Sequence, residues 1–215
     1  MLINWLGHSC FLLTNDNNDR VLVDPYDSYV GKEMTKVSAD VVVLSHGHKD
    51  HSAVENVISP QIIIDKMGKF CYNNIKINTF YRYHDNKGGD LRGKTLITTI
   101  KTDGLNICHL GDIGEDCTDD IASSIGNTDI LLIPVGGTYT IDSKQAKVYV
   151  DKLKPNIVIP MHYKNSFCVF DIDSVDNFTA LFDKKVIIKN TTKDLLITKE
   201  TLKTSKPNII LMQLA

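Results

Sequence analysis

Residues 39–51, ADVVVLSHGHKDH, contain an apolar run followed at once by three histidines and an aspartate. The valine-rich part is typical of a buried β-strand. Alternate side chains of an extended chain share one side, so His46, His48 and Asp50 are predicted to project together where this strand ends, with His51 one step out of phase. Three of the seven histidines fall within six positions, a density that disfavours a chance polar loop or a helix cap by Asp50. We expect two neighbouring metal ions, the first held by His46 and His48 and the second approached by Asp50 and His51.

A cluster this short cannot complete two metal sites, so other segments must supply ligands. Three candidates, His84, Asp112 and His162, each follow a predicted strand, in YRYHD, CHLGDIG and IPMHY. Each strand end can lie at the edge of the fold that carries the first cluster. Gly111 would let the backbone turn sharply beside Asp112. Any one of the three alone is as readily a core or surface residue as a ligand, but together they favour a metal site.

The composition is that of an ordinary globular protein, with 42% hydrophobic and 23% charged residues among 215. This length predicts one domain over residues 1–215. The formal net charge of −2 gives no basic field for nucleic acid. Neither a signal peptide nor a membrane span is predicted. Five cysteines without a CxxC pair indicate reduced thiols in the cytoplasm rather than disulfides or a thiolate zinc site.

The order of predicted elements favours a layered α/β fold. Strands are predicted for MLINWL, CFLLTN, RVLVDP, ADVVVLS, QIIID and NNIKINTFYRYH, and a hairpin turning at Asp103-Gly104 for TLITTIKTDGLNICHLGD. Helices are predicted for TDDIASSIG, SKQAKVYVDKLK and SVDNFTALFD, the last with a serine cap, and strands for DILLIPVGG, NIVIPMHY, VIIKN, LLITKE and NIILMQL. We expect strands to pair within each half, giving two face-to-face sheets covered by helices: an αββα four-layer sandwich.

The motifs resemble those of the metallo-β-lactamase superfamily. SHGHKDH matches the HxHxDH signature of that family, and WLGHSCF, VLVDPYD, CHLGDIG, PVGGTYTI and IPMHYK follow in the order found in its small metal-dependent hydrolases, including ascorbate-6-phosphate lactonase-like proteins. The resemblance extends from Leu2 to about Asp183. It implies the αββα fold and a two-metal site at the edge of the sandwich.

The resemblance also implies a ligand for each position. His46, His48 and His84 would bind the first metal ion, and Asp50, His51 and His162 the second, with Asp112 bridging the two. The segment around His84 has no signature of its own, and His109 is its rival. In a regular strand His109 and Asp112 point to opposite faces, so we predict His84 as the ligand.

Four further positions are predicted near the site. His8 is a candidate for orienting a ligand or contacting substrate, although a polar residue at a strand end is equally consistent. Asp24 is predicted to orient a metal-bound histidine by accepting its ring N–H. Thr138 and Tyr139 are candidates for lining a pocket, with an ordinary turn as the alternative. Cys108 is predicted to lie in the core.

Imidazole and carboxylate ligands without thiolate suit Zn²⁺, and also Mn²⁺ or Fe²⁺. Two such ions sharing Asp112 would also share a water molecule and would supply hydroxide near neutral pH. The predicted catalytic carboxylates are Asp50 and Asp112. The predicted function is hydrolysis of a small ester, lactone or phosphoester.

Two alternatives remain. A phosphodiesterase or nuclease acting on nucleic acid would need a basic track, for which the candidates are Lys32, Lys49, Arg82, Arg92 and Lys164. The second alternative is a non-catalytic, metal-binding regulatory protein. The chain is too short for the extra domains of glyoxalase II-like or nuclease relatives, and His48 stands where di-iron relatives have glutamate, so a small-molecule hydrolase is favoured.

Overall fold

Short strands make up most of the regular structure in the computed structural model, which describes residues 1–202 and 207–215. Their bounds are β1 (Leu2–Gly7), β2 (Cys10–Thr14), β3 (Arg20–Val23), β4 (Val37–Ser38), β5 (Val41–Val43), β6 (Val57–Ile58), β7 (Ile62–Ile64), β8 (Gly68–Tyr72), β9 (Ile75–Tyr83), β10 (Lys94–Thr102), β11 (Leu105–His109), β12 (Ile130–Pro134), β13 (Ile157–Met161), β14 (Ile187–Lys189), β15 (Asp194–Leu196) and β16 (Asn208–Leu211). The predicted strands are confirmed, whereas β4, β6 and β8 were not predicted.

In the described part of the chain three α-helices, α1 (Asp119–Ile125), α2 (Ser143–Leu153) and α3 (Val175–Thr179), lie where the sequence predicts them. Each begins after a side chain that accepts a hydrogen bond from a free backbone amide: Thr118, Asp142 and Ser174. Asp142 forms a full capping box with Gln145. Helix α3 ends at Thr179, four residues before the end of the predicted segment. No helix in the described ranges is long and apolar enough to cross a membrane.

The strands form two large sheets and one small one. The first large sheet has the order β15-β1-β2-β3-β5-β7 and the second the order β14-β16-β13-β12-β11-β10-β9-β8, while β4 pairs with β6. The hairpin between β10 and β11 turns at Asp103-Gly104, as predicted. Both turn residues have positive φ, of 51° and 71°, the conformation that a two-residue type I′ turn requires.

Sheet membership does not follow the two halves of the chain, so the prediction of pairing within each half was wrong. Strands β8 to β10 come from the first half but belong to the second sheet, and β15 returns from the C-terminal region to pair with β1. The pattern of apolar residues along a strand predicts which face of the strand is buried, but it does not predict which sheet the strand joins.

The main core lies between the two sheets. Trp5, Phe11 and Leu13 of the first sheet belong to the same buried cluster as Ile77 and Ile97 of the second. Each fully buried side chain of this kind contributes about 1.5–3 kcal/mol. This packing fixes the sheets against each other, and therefore fixes the edge at which their strands end.

The outer faces of the two sheets are covered differently. Helix α2 contacts β12 of the second sheet and both other helices. On the first sheet, Leu12, Leu22 and Val42 form a second cluster, to which Tyr26 and Val30 also belong. There the covering chain includes 3-10 turns at Ser28–Val30 and Val54–Asn56. The α/β sandwich is confirmed, with 3-10 turns and irregular chain in place of α-helices on one outer layer.

Candidate metal centre

The predicted ligands meet at one edge of the sandwich because each follows the end of a strand. His46 and His48 follow β5, His84 follows β9, Asp112 follows β11 and His162 follows β13. Strands β11, β12 and β13 run parallel, so their carboxyl ends reach the same edge. Residues more than 100 positions apart are thereby brought into one cluster.

His46, His48 and His84 form one group of possible ligands. The Nε2 atom of His46 lies 2.9 Å from Nδ1 of His48. The alternation of side chains along a strand does not explain why His46 and His48 meet, because β5 ends at Val43. The chain then turns, and the amide of His51 donates to the carbonyl of His48. The loop, rather than a continued strand, brings the two rings together.

Asp112 lies between the histidines. Its Oδ2 atom is 3.0 Å from Nε2 of His51, 3.2 Å from Nε2 of His162 and 3.5 Å from Nε2 of His84. Its other oxygen, Oδ1, is buried and has no hydrogen-bond partner in the described ranges. This buried carboxylate faces three imidazoles and keeps an oxygen that could bind a cation.

Asp50, His51 and His162 form a second group of possible ligands, and His8 belongs to it as well. Oδ2 of Asp50 is 3.5 Å from Nε2 of His51 and 3.3 Å from Nε2 of His8. Because a carboxylate can only accept, His8 donates Nε2–H to Asp50. The structure therefore places His8 where it orients a predicted ligand.

Asp24 and Ser45 connect the two groups through hydrogen bonds to His51 and His46. Asp24 is fully buried and its Oδ2 accepts from Nδ1 of His51 at 2.8 Å and from the hydroxyl of Ser45 at 2.7 Å. Since Ser45 donates its only hydroxyl proton to Asp24, its oxygen accepts from Nδ1 of His46 at 2.9 Å. Both rings are thus held with a proton on Nδ1 and with Nε2 directed into the site. Sequence reasoning identified Asp24 but missed Ser45.

The charges of the site favour a bound cation. Burial opposes protonation of His51, yet Asp112, Asp50 and Asp24 together raise its pKa well above the usual value. Burial, together with the nearby His51, lowers the pKa of His46 to about 3. The carboxylates therefore attract positive charge, while burial lowers the pKa of His84 as well and favours its neutral form. Neutral imidazole with carboxylate is a donor set that divalent metal ions accept. The residues present fit such ions.

Two glycines allow the backbone to approach the site closely. Gly111 has φ of +54°, and a methyl group there would lie 2.5 Å from Oγ1 of Thr95. Gly136 lies against His162 so closely that a methyl group would overlap the carbonyl oxygen of that residue. The turn predicted at Gly111 is therefore present, and Gly136 adds a second close approach.

His109 lies outside the ligand groups. It is fully buried on β11, and its Nε2 donates to the carbonyl of Ser9 at 2.9 Å while Nδ1 accepts from the amide of Gly111 at 3.0 Å. With both ring nitrogens occupied by backbone groups, it has no lone pair for a metal. Cys108 is buried beside it in the core, as predicted.

A cavity of about 580 Å³ opens onto the site. Tyr139 lies on its wall, whereas Thr138 is not among the lining residues. The lining also includes residues that sequence reasoning had not connected with a pocket, the aromatic Tyr29 and Phe170. Lys49 and Arg92 complete the charged part of the wall.

Asp85 organises the loop after His84. Its Oδ1 accepts from the amides of Lys87 and Gly89 at 2.8 and 2.9 Å, and its Oδ2 from those of Leu91 and Arg92 at 3.0 and 2.8 Å. Burial opposes its ionisation, but these four amides hold the pKa of Asp85 at about 2. Sequence reasoning missed this role, although an aspartate before a glycine-rich segment is a common turn signal.

The chain is similar to known hydrolases. Residues 2–162 match the beta-lactamase superfamily domain. A UPF0173 metal-dependent hydrolase of Thermoplasma volcanium is 31% identical, over 86% of this chain and 94% of that protein. The crystal structure of a proposed Zn-dependent hydrolase of the metallo-beta-lactamase superfamily from Thermotoga maritima is 33% identical, with a TM-score of 0.80 over 98% of this chain and 97% of that one. An isothiocyanate hydrolase from Delia radicum gut bacteria shares the fold alone, at 14% identity and a TM-score of 0.62 over 79% of this chain and 88% of that one.

Proposed function

From the premise that the chain belongs to the beta-lactamase superfamily and is a metal-dependent hydrolase, we propose that it uses two divalent metal ions to hydrolyse a small ester, lactone or phosphoester. Zinc is the proposed metal, with Mn²⁺ and Fe²⁺ as alternatives for the same donor set.

The observation that carries this proposal is the position of Asp112. Its carboxylate is buried, faces Nε2 of His51, His84 and His162 within 3.5 Å, and has one oxygen without a hydrogen-bond partner in the described ranges. A carboxylate in this position can join two ligand groups that lie on either side of it.

The seven predicted ligands can be assigned to two sets, and a third group, His46, His51 and Asp112, joins them. His46, His48 and His84 would hold one ion, and Asp50, His51 and His162 the other, with Asp112 between them. When bound, such ions lower the pKa of a coordinated water and polarise the oxygen of the bond to be cleaved.

The remaining polar residues orient these ligands. Asp24 and Ser45 hold a proton on Nδ1 of His51 and His46, so Nε2 is the nitrogen with which each ring would bind the ion. His8 holds a proton on Nε2 and donates it to Asp50. The aromatic residues Tyr29, Tyr139 and Phe170 line the cavity that these ligands face.

A nuclease is less well supported, because the basic candidates do not form a track. Of the five, Lys49 and Arg92 line the cavity. Arg82 lies 3.6 Å from Asp120 on another face, and Lys164 donates to the carbonyl of Phe170. Two cations suit one small anion better than a polynucleotide backbone.

A non-catalytic role is also less well supported. A metal site that serves only structure is closed by its ligands, whereas a catalytic site keeps an open position. The lining of the cavity here includes His48, Asp50 and Asp112, which are predicted ligands. A substrate in the cavity would therefore reach the ions directly.

Reconstitution with each metal tests the proposal. We expect two ions per chain at saturation by elemental analysis, and hydrolysis of at least one of a nitrophenyl ester, a lactone and bis(nitrophenyl) phosphate. The activity should disappear with a chelator and return with added metal. Binding of no more than one ion under saturating metal would contradict the two-metal model.

A further inference from the structure

The mouth of the cavity carries two cationic side chains to which the proposed hydrolysis assigns no role. Lys49 is exposed beside the ligand loop, and Arg92 is half-buried on the loop after His84. The carbon of the Arg92 guanidinium lies 5.4 Å from the centre of the Tyr139 ring. Neither cation forms an ion pair with a carboxylate of the described residues, unlike Arg82, Lys147 and Lys152.

The aromatic rings of the mouth form one wall. The centre of the Phe170 ring lies 5.5 Å from that of Tyr29 and 5.9 Å from that of Tyr139, and both pairs meet edge to face. Its segment is attached to the neighbouring loop by a hydrogen bond from the amide of Val169 to the carbonyl of Val30. This bond joins the chain beside Phe170 to the loop of Tyr29, and the aromatic rings of the wall are suited to a planar or apolar group.

Arg92 is held in place from its backbone. The Asp85 carboxylate accepts the Arg92 amide at 2.8 Å and three further amides of the same loop. Gly114 packs against this turn so tightly that a methyl group there would lie 2.5 Å from the Asp85 backbone. The backbone of Arg92 is therefore held in place, and its guanidinium lies over the Tyr139 ring, so less freedom is lost on anion binding than for a side chain on a mobile loop.

We propose that the mouth selects a small substrate with a planar or apolar body against the three rings and an oxyanion, carboxylate or phosphate, paired with Arg92 and Lys49. The inference rests on the proposed function, since the substrate must also reach the metal ligands. Arginine is suited to this role because its planar fork binds such oxyanions through two parallel hydrogen bonds.

Binding of substrate-like probes to the metal-loaded protein tests this assignment without turnover. Benzoate and phenyl phosphate supply the two oxyanions on one planar body, and benzamide is the neutral match for benzoate. By calorimetry we expect benzoate or phenyl phosphate to bind at least about tenfold more tightly than benzamide. Arg92→Gln should weaken the better anion by about tenfold, the effect expected of one charge-assisted pair. Lys49→Gln should weaken it a few-fold, since that cation is more exposed.

Lys94→Gln is the matched control. It removes the same charge two positions from Arg92, but Lys94 lies over the ring of Tyr81 and lines a different depression. Its anion affinity should equal that of the wild type. Metal content measured on each variant shows whether the two ions are retained.

The outcomes separate this inference from the proposed function. If Arg92→Gln binds both anions as well as the wild type does while retaining its metal ions, the anions bind only to metal and the inference is overturned, even if hydrolysis is normal. Equal affinity for benzamide and both anions overturns it as well. If no ester, lactone or phosphoester is hydrolysed but the anion affinity depends on Arg92, the anion site is supported and the proposed reaction is not.

Discussion

Separate replacement of His84 and His109 by alanine should distinguish metal binding from folding stability. Both side chains are almost completely buried, yet their contacts differ. Nδ1 of His84 has no hydrogen-bond partner in the described ranges, and its Nε2 faces Asp112 at 3.5 Å. Both nitrogens of His109 are paired with backbone groups. We therefore expect His84→Ala to lose metal and His109→Ala to lose stability.

The magnitudes follow from those contacts. His109→Ala leaves the carbonyl of Ser9 and the amide of Gly111 buried without partners, at about 1–3 kcal/mol each, so the free energy of unfolding should fall by roughly 2–6 kcal/mol. His84→Ala removes no such pair and should change the metal-free protein less. Loss of a residue that only orients a ligand lowers metal affinity by roughly 10–100-fold. Loss of His84, a predicted ligand, should lower it by more than that.

Two measurements check this prediction. Urea unfolding in excess chelator gives the stability of each metal-free variant, and titration against a chromophoric chelator gives the metal affinity. His109→Gln is the control, because its amide keeps one donor and one acceptor and should recover part of the lost stability. The reverse pattern, with His109→Ala losing a metal ion and His84→Ala keeping both, would refute the assignment of the third histidine ligand.

Three further substitutions test the site. Asp112→Asn keeps the shape of the side chain but removes the charge between the two ligand groups, so the folded variant should bind fewer than two ions and hydrolyse substrate at least about 100-fold more slowly; near-normal turnover with two ions would exclude a bridging role. Asp24→Asn should weaken metal binding by about 10–100-fold in the chelator titration. Asparagine tolerates the φ of +51° at position 24. The control is Asp40→Asn, which changes a remote carboxylate that also accepts a backbone amide and should leave the metal affinity unchanged. Gly136→Ala forces a methyl group against the carbonyl of His162 and should lower the unfolding free energy by about 1–3 kcal/mol, measured by urea unfolding.

Much of the fold is determined by local sequence. The apolar runs before His46, Asp112 and His162 predict strands, because each alternation or continuous run matches a pleated, buried surface. The caps of the three helices are also local, since Thr118, Asp142 and Ser174 bond to amides two or three residues away. The choice of sheet for β8 to β10 and for β15 is not local, and the prediction failed there.

The sequence by itself determined the kinds of candidate ligand and their spacing, since His46, His48, Asp50 and His51 lie in one short loop. Only the tertiary structure decided which other side chains join them. It directs His84 toward Asp112 while both nitrogens of His109 bond to the backbone, and it brings Ser45 between Asp24 and His46. Tyr29, Arg92 and Phe170 share one cavity although they are far apart in the chain. The physical reason is that imidazole, hydroxyl and guanidinium groups acquire a role from their neighbours in space, and those neighbours are chosen by how the two sheets pack.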